Sequence, residues 1–389
     1  MFEYQVALQE DEATRFRDVL FQTLNIPHER WDEVRENIGW ENLRGLRHDG
    51  RLIGGMGLHQ AGQWFGGRCV PCCCVTLVGI APEYRRKGAA RTLMTASLRE
   101  LRETGIPIAS LYASTQALYR AVGFEQAGTR NQHELPMSMI GVESRELDVH
   151  QVDEPVAEPF QDLCRQRAQL TNGNLERTAG LWNRVLKDPK TPVHRYLIGD
   201  RKRPEGFVVF TQECEQRFPL TLSIRDMWAA SPAAGRRLWT FLADHASVGE
   251  KVRWFGPAND PLLGLTAECK FTDVQVLRWL VRIVDVKQAL EQRGYPPAVS
   301  GELHLSIQDD VLPENEGRYV LEVADGRGTV REGGRGDLAC HVRGLAPLFA
   351  GFFPPQTLAG MGWIEGTAEA IQTATALFAG PEPWMPEIF

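Results

Sequence analysis

The stretch GIAPEYRRKGAAR, residues 79–91, constrains the fold of this chain more than any other. An apolar run, CCCVTLVGI, leads into it and stops at Pro82. Three cations follow in a row, Arg85, Arg86 and Lys87, and then Gly88. Beyond Gly88, Leu93, Met94, Leu98 and Leu101 recur at helical spacing, and Gly105 supplies a C-terminal stop. The pattern predicts a strand, a tight turn and a helix. A second strand, IPIASLYAS, a short helix, TQALYRAVG, and an extended stretch, FEQAGTRNQHELPM, come next. A helix between two strands returns the chain parallel to itself, so the expected fold class is α/β (α+β) with a parallel pair at its centre.

The turn also predicts a chemistry. A helix begins with unpaired N–H groups and the positive end of its dipole. Placed after a strand and a tight turn, those groups converge on an anion such as a diphosphate. Arg85, Arg86 and Lys87 neutralise it, and Gly88 and Ala90 leave room for its approach. The whole chain carries 43 Lys and Arg against 50 Asp and Glu, a formal charge of −7. The cations therefore belong to a local anion site, and the acidic balance argues against nucleic acid as a partner. The phosphate-loop pattern Gly-x-x-x-x-Gly-Lys-Ser/Thr and the dinucleotide pattern Gly-x-Gly-x-x-Gly are both missing here.

At 389 residues the chain is too long for one ordinary core. No apolar run is long enough to span a bilayer, and the acidic N-terminus has no signal-peptide character, so the expectation is a cytoplasmic protein with no membrane partner. Four cysteines, Cys69, Cys72, Cys73 and Cys74, crowd into one segment. Zinc needs four ligands and no second Cys pair follows. No metal is expected: in a strand, Cys73 and Cys74 point to opposite faces and act as small apolar residues. A Cys-centred metal or redox protein remains a third possibility. Residues 148–280 echo the first 147, since TLSIRDMWAASPAAGRRLWTFLADHA again reads strand, Ser-Pro turn, helix, but without the basic turn. From 281 on, RIVDVKQALEQRGYPP reads as strand and helix, followed by short strands and two or three helices.

The spacing Arg85-x-x-Gly88-x-Ala90 resembles the acetyl-CoA pyrophosphate signature of the GCN5-related N-acetyltransferases, the GNAT superfamily. LYRAVGFEQAG, residues 118–128, resembles that family's Tyr-x-x-x-Gly-Phe element. WFGGRCVPCCCVTLVGIAPEYRRKG and RIVDVKQALEQRGYP resemble the Eis (enhanced intracellular survival) subgroup, apart from the Cys-Cys-Cys. The resemblance implies two GNAT-like mixed-sheet domains in tandem, 1–147 and 148–280, and a sterol-carrier-protein-like α/β domain, 281–389. The second GNAT domain is expected to be degenerate.

The resemblance further implies acetyl-CoA as co-substrate and acetylation of primary amines on a small polycationic, aminoglycoside-like molecule or a peptide lysine. Tyr119 is the implied general acid, and the C-terminal carboxylate of Phe389 the implied base. The tail FAGPEPWMPEIF ends in apolar residues and has three prolines, which suits a docked terminus. Val78 and Ile80 are expected to pair with the pantetheine arm, and Ser114 to contact CoA or the acyl group. His133 and Glu134 are alternative bases, each expected on the surface, and Glu387 could hold a cationic substrate. A homohexamer is implied as well. The rival class is a non-catalytic acyl-CoA or lipid sensor built on the carrier-like third domain.

Overall fold

The computed structural model describes residues 1–6, 8, 12–214 and 218–389. The first unit has strands β1 (Phe2–Gln5), β2 (Leu43–His48), β3 (Arg51–Phe65), β4 (Arg68–Ile80), β5 (Ile108–Tyr112) and β6 (Glu125–Pro136). Its helices are α1 (Ala13–Leu24), α2 (Trp31–Ile38), α3 (Ala89–Glu103) and α4 (Gln116–Arg120). Helix α3 buries Leu93, Met94, Leu98 and Leu101, the stripe read from the sequence. Helix α2 has no counterpart in that reading, because its pattern buries only Val34 and Ile38.

The second unit runs β7 (Val149–Gln151), α5 (Glu158–Gln169), β8 (Leu175–Glu176), α6 (Ala179–Leu186), β9 (Val193–Asp200) and β10 (Arg203–Glu213). It continues with β11 (Leu220–Ala229), α7 (Pro232–Ala243), β12 (Gly249–Gly256) and β13 (Thr272–Ile283). The third unit has α8 (Val286–Gln292), β14 (Gly301–Gln308), β15 (Gly317–Ala324), β16 (Arg327–Glu332) and β17 (Leu338–His341). It closes with α9 (Val342–Ala350), α10 (Pro355–Gly360), β18 (Ile364–Gly366) and α11 (Ala368–Leu377).

The first two units share one sheet, in the order β1-β2-β3-β4-β5-β13-β6-β12-β11-β10-β9-β7. Strand β13 thus crosses into the first unit and lies antiparallel between β5 and β6. The third unit has its own sheet, β16-β15-β14-β17-β18. Pleat alternation explains the cysteines. Cys72 and Cys74 face the core shared with the third unit, and Cys73 faces the core under α3. All three are wholly buried, and burial pushes the Cys73 and Cys74 thiols well up, which keeps them protonated and inert.

One buried ion pair fastens the third unit to β13. Arg282 and Asp309 are both fully buried and meet at 2.7 Å. Asp309 also accepts from Val311 N and Leu312 N at 3.1 Å and from Asn315 Nδ2 at 2.8 Å. Burial pulls the Arg282 pKa down, so its charge depends on that carboxylate. Removing one partner leaves an uncompensated buried charge. Asp309→Ala is therefore expected to cost about 3–5 kcal/mol in denaturant unfolding, and Asp309→Asn less.

Candidate active site

Strand β4 pairs with β5 in parallel at Cys72↔Ile108, Cys73↔Ala109 and Cys74↔Ser110, and no further. Just beyond, the register with β3 shifts between Gly55 and Gly57, and Leu77 takes a φ of 54°. Such a bulge bends the strand and adds twist. The last residues of β4, Val78 and Ile80 among them, therefore have β3 on one side and an open backbone edge on the other.

That edge leads into the basic turn. Arg86 and Gly88 both have positive φ, 58° and 87°. Gly88 is the N-cap of α3, and no side chain caps it. A Cβ there would meet nothing within 4 Å, so glycine is needed for its left-handed backbone rather than for space. Arg85, Arg86 and Lys87 are exposed, and none has an ion-pair partner among the described residues. Arg85 Nε donates to Ile80 O at 3.2 Å, and Lys87 Nζ lies 5.6 Å above the Tyr84 ring. Ala90 is half-buried on the first turn of α3. Open N–H groups, three unpaired cations and a free strand edge fit a diphosphate carrying a peptide-like arm.

Ser114 is exposed, two residues past β5. Tyr119 sits on α4, buried, with its ring edge-on to Phe124 at 6.0 Å. Burial pushes its phenol up to about 12. Its helix is tied down by Glu125, which is fully buried and accepts from Arg120 at 2.8 Å and from Arg343 of the third unit at 2.7 Å.

The tail threads between all three units. Thr129 N donates to Pro383 O at 3.1 Å, and Met385 N returns to Thr129 O at 3.2 Å. Trp384 N donates to Asn172 O at 2.9 Å, and Asn174 Nδ2 donates to Trp384 O at 3.0 Å. Arg130 Nε holds Pro386 O, and the Tyr112 hydroxyl holds Glu387 O, each at 2.9 Å. The Phe389 ring then rests on Tyr112, the last residue of β5, with centroids 5.6 Å apart. Phe389 thus lies at the end of β5 against the core shared with the third unit, whereas Tyr119 packs in the core under α3, and no hydrogen bond or ring contact joins them.

Three expectations change. His133 is fully buried, not on the surface, with Nδ1 2.6 Å from Asp273 and Nε2 2.9 Å from Pro257 O. Glu134 is engaged by Lys251 at 2.9 Å and by Arg253. Glu387 does not face a substrate: it pairs with Arg177 at 2.8 Å, both side chains almost wholly buried. Arg177 pairs in turn with Asp226 at 2.7 Å, and Asp226 with Arg167 at 2.6 Å. Burial alone would raise the Asp226 pKa, but the two guanidinium groups hold it below the usual carboxylate range. The only local signal for this network is a lone Asp226 within the strand TLSIRDMWAA; its partners are scattered along the chain.

Family models match three regions: an acetyltransferase (GNAT) domain at residues 7–127, another at 173–283, and a sterol carrier protein domain at 286–386. The crystal structure of a GCN5-related N-acetyltransferase from Anabaena variabilis is 38% identical, covers all of both chains and superposes with a TM-score of 0.96. The chain belongs to the GCN5-related N-acetyltransferase family. Within it the chain is Eis-like. It is 27% identical to the N-acetyltransferase Eis of Mycobacterium tuberculosis over 66% of this chain and 65% of that one. An uncharacterized N-acetyltransferase of Streptomyces avermitilis is 29% identical over 83% of each. The chain is thus an N-acetyltransferase, and enzymes of this family use acetyl-CoA. No described helix is long and apolar enough to cross a membrane.

The Glu387–Arg177 pair gives a direct test of the tail. Glu387→Gln keeps the shape and removes the charge, weakening the anchor by about 1–3 kcal/mol. Hydrogen exchange at residues 384–389 should then quicken at pH 7, while β4 and α3 stay protected.

Proposed function

We propose that this enzyme moves the acetyl group of acetyl-CoA to primary amines of a polycationic small molecule, aminoglycoside-like, or to a peptide lysine. Tyr119 is the general acid and the Phe389 carboxylate the general base. The observation that carries this reading is the tail, which is hydrogen-bonded at residue after residue and ends against Tyr112. A frayed terminus would not be held in this way.

Acetyl-CoA supplies an acetyl thioester. Arg85, Arg86 and Lys87 with the N–H groups of Gly88 and Ala90 take its diphosphate, and the open edge at Val78 and Ile80 takes the pantetheine amides. Ser114, at the mouth beyond β5, contacts the acyl end. A free terminal carboxyl ordinarily has a pKa of about 3.5, and in this reading the Phe389 carboxylate accepts the proton that the amine nitrogen loses, directly or through water. As the C–S bond breaks, the Tyr119 hydroxyl gives its proton to the sulfur, and a water-borne proton from the carboxyl restores the phenol. The second unit lacks the basic turn, so one CoA per chain is expected. The same resemblance supports a cytoplasmic homohexamer, which light scattering on the purified protein tests for assembly.

Mass spectrometry of aminoglycosides and polyamines incubated with acetyl-CoA and the protein tests the reaction. One residue added after Phe389 moves the carboxylate by about 3.5 Å and is expected to remove most product. Equal product would keep the transferase and discard the terminal base. Tyr119→Phe should lower kcat by about 100-fold to 10,000-fold with CoA binding kept. Bound CoA with no product from the native chain would instead favour the sensor.

The raised phenol also sets a pH profile. An ordinary tyrosine, with a pKa of about 10, would be half ionised at pH 10 and would halve the rate. With Tyr119 at about 12, kcat should hold from pH 8 to pH 10.

A further inference from the structure

The second unit repeats the opening of the first. Strands β11 and β12 pair in parallel from Leu220↔Gly249 to Ser223↔Arg253 and then part. In the first unit the helix after the gap is uncapped. Here Ser231 Oγ caps α7, accepting from Ala234 N at 3.1 Å, and donates to the Glu205 carboxylate at 2.6 Å. That helix N-terminus already faces an anion, so a second diphosphate has no place there.

The gap itself is not filled. A cavity of about 360 Å³ lies between the strand ends and the tail, walled by Trp228, Trp254, Phe255 and Trp384. Among the described residues no Lys, Arg or His lines it, and two carboxylates do, Asp260 and Glu382. Asp260 accepts from the Trp254 indole at 2.8 Å and from Leu262 N at 2.9 Å. Glu382 stands exposed at the rim beside Asn259, at 3.2 Å. Two of the rings are engaged by guanidinium groups: Arg130 lies over Phe255 and Arg167 over Trp384. Arg130 also donates to Pro386 O and Arg167 pairs with Asp226, so neither is free to bind an anion. Among the described residues no guanidinium lies over Trp228 or Trp254.

We propose that this cavity binds a hydrophobic organic cation, an aryl- or alkylammonium, with its apolar body among the rings and its charge toward Asp260 and Glu382. Aromatic faces attract such cations through their quadrupole, and the effect grows with desolvation. Nothing in this assignment depends on which amine the enzyme acetylates.

Calorimetric titration of the full-length chain with benzyltrimethylammonium, which cannot be acetylated, tests it. Benzyl alcohol and phenylacetate serve as neutral and anionic comparators. One cation per chain should bind, about tenfold or more tighter than the alcohol, and phenylacetate should not bind. Leu170 lines the cavity and is 67% exposed, so Leu170→Arg places a positive charge at the mouth with little risk to the fold. This variant and Glu382→Gln should both weaken the cation, with unchanged melting temperatures and unchanged binding of the alcohol. The proposal is overturned by equal or tighter binding of benzyl alcohol or phenylacetate, by no binding of the cation, or by cation binding that both variants leave intact.

Discussion

The parallel pairing of β4 with β5 ends at Cys74 and Ser110, and the bulge at Leu77 keeps the two strands apart beyond that point. Backbone N–H and C=O groups left unpaired inside a protein cost free energy unless another partner meets them. Strand β13 meets those on the far side of β5, because it leaves the second unit and pairs along Ile108–Tyr112. The near side of β4 is met by no strand. A chain of peptide-like amides is the partner that such an edge takes most readily, and the pantetheine arm is one. The same separation leaves the end of β5 open, and there Tyr112 receives the last residues of the chain.

The two acetyltransferase-like units answer one physical need in opposite ways. Each ends a central strand at a helix whose first N–H groups lack partners within the helix. In the first unit Gly88 offers no side chain, and the three cations beside it have no ion-pair partner among the described residues. In the second unit Ser231 and Glu205 supply the cap and the negative charge from within the chain. The second unit therefore differs from the first in these two side chains as well as in the loss of the basic turn.

What was legible in the sequence is what is local. The strand into Pro82, the turn, the stripe of α3 and the alternation of Cys72, Cys73 and Cys74 between two cores all depend on residues a few positions apart. The place of β13 was not legible. The sequence reads a strand from 281 as the start of the third unit, whereas β13 runs Thr272–Ile283; nothing in a strand's own pattern says which neighbours it takes, and it takes partners some 150 residues away. The tail network was hidden for the same reason: Arg177 and Glu387 are 210 residues apart in sequence. His133 was misplaced because a polar residue in an extended stretch reads as exposed, whereas β12 and β13 flank it on both sides.

The carrier-like third unit meets the candidate site at two points, and both are mechanical. It ends in the tail, and through Arg343 it reaches the buried Glu125 that also holds Arg120, the neighbour of Tyr119. Two cations on one fully buried carboxylate leave that pairing little freedom, since each guanidinium would otherwise lose its partner. The third unit therefore steadies the helix of the proposed acid through Arg343 and supplies the tail of the proposed base, which residues of the first two units hold in place. A domain recruited only to bind lipid would have no need of either contact. The same two contacts make the arrangement sensitive to the Arg282–Asp309 pair, which fixes the third unit to the strand lying directly against β5.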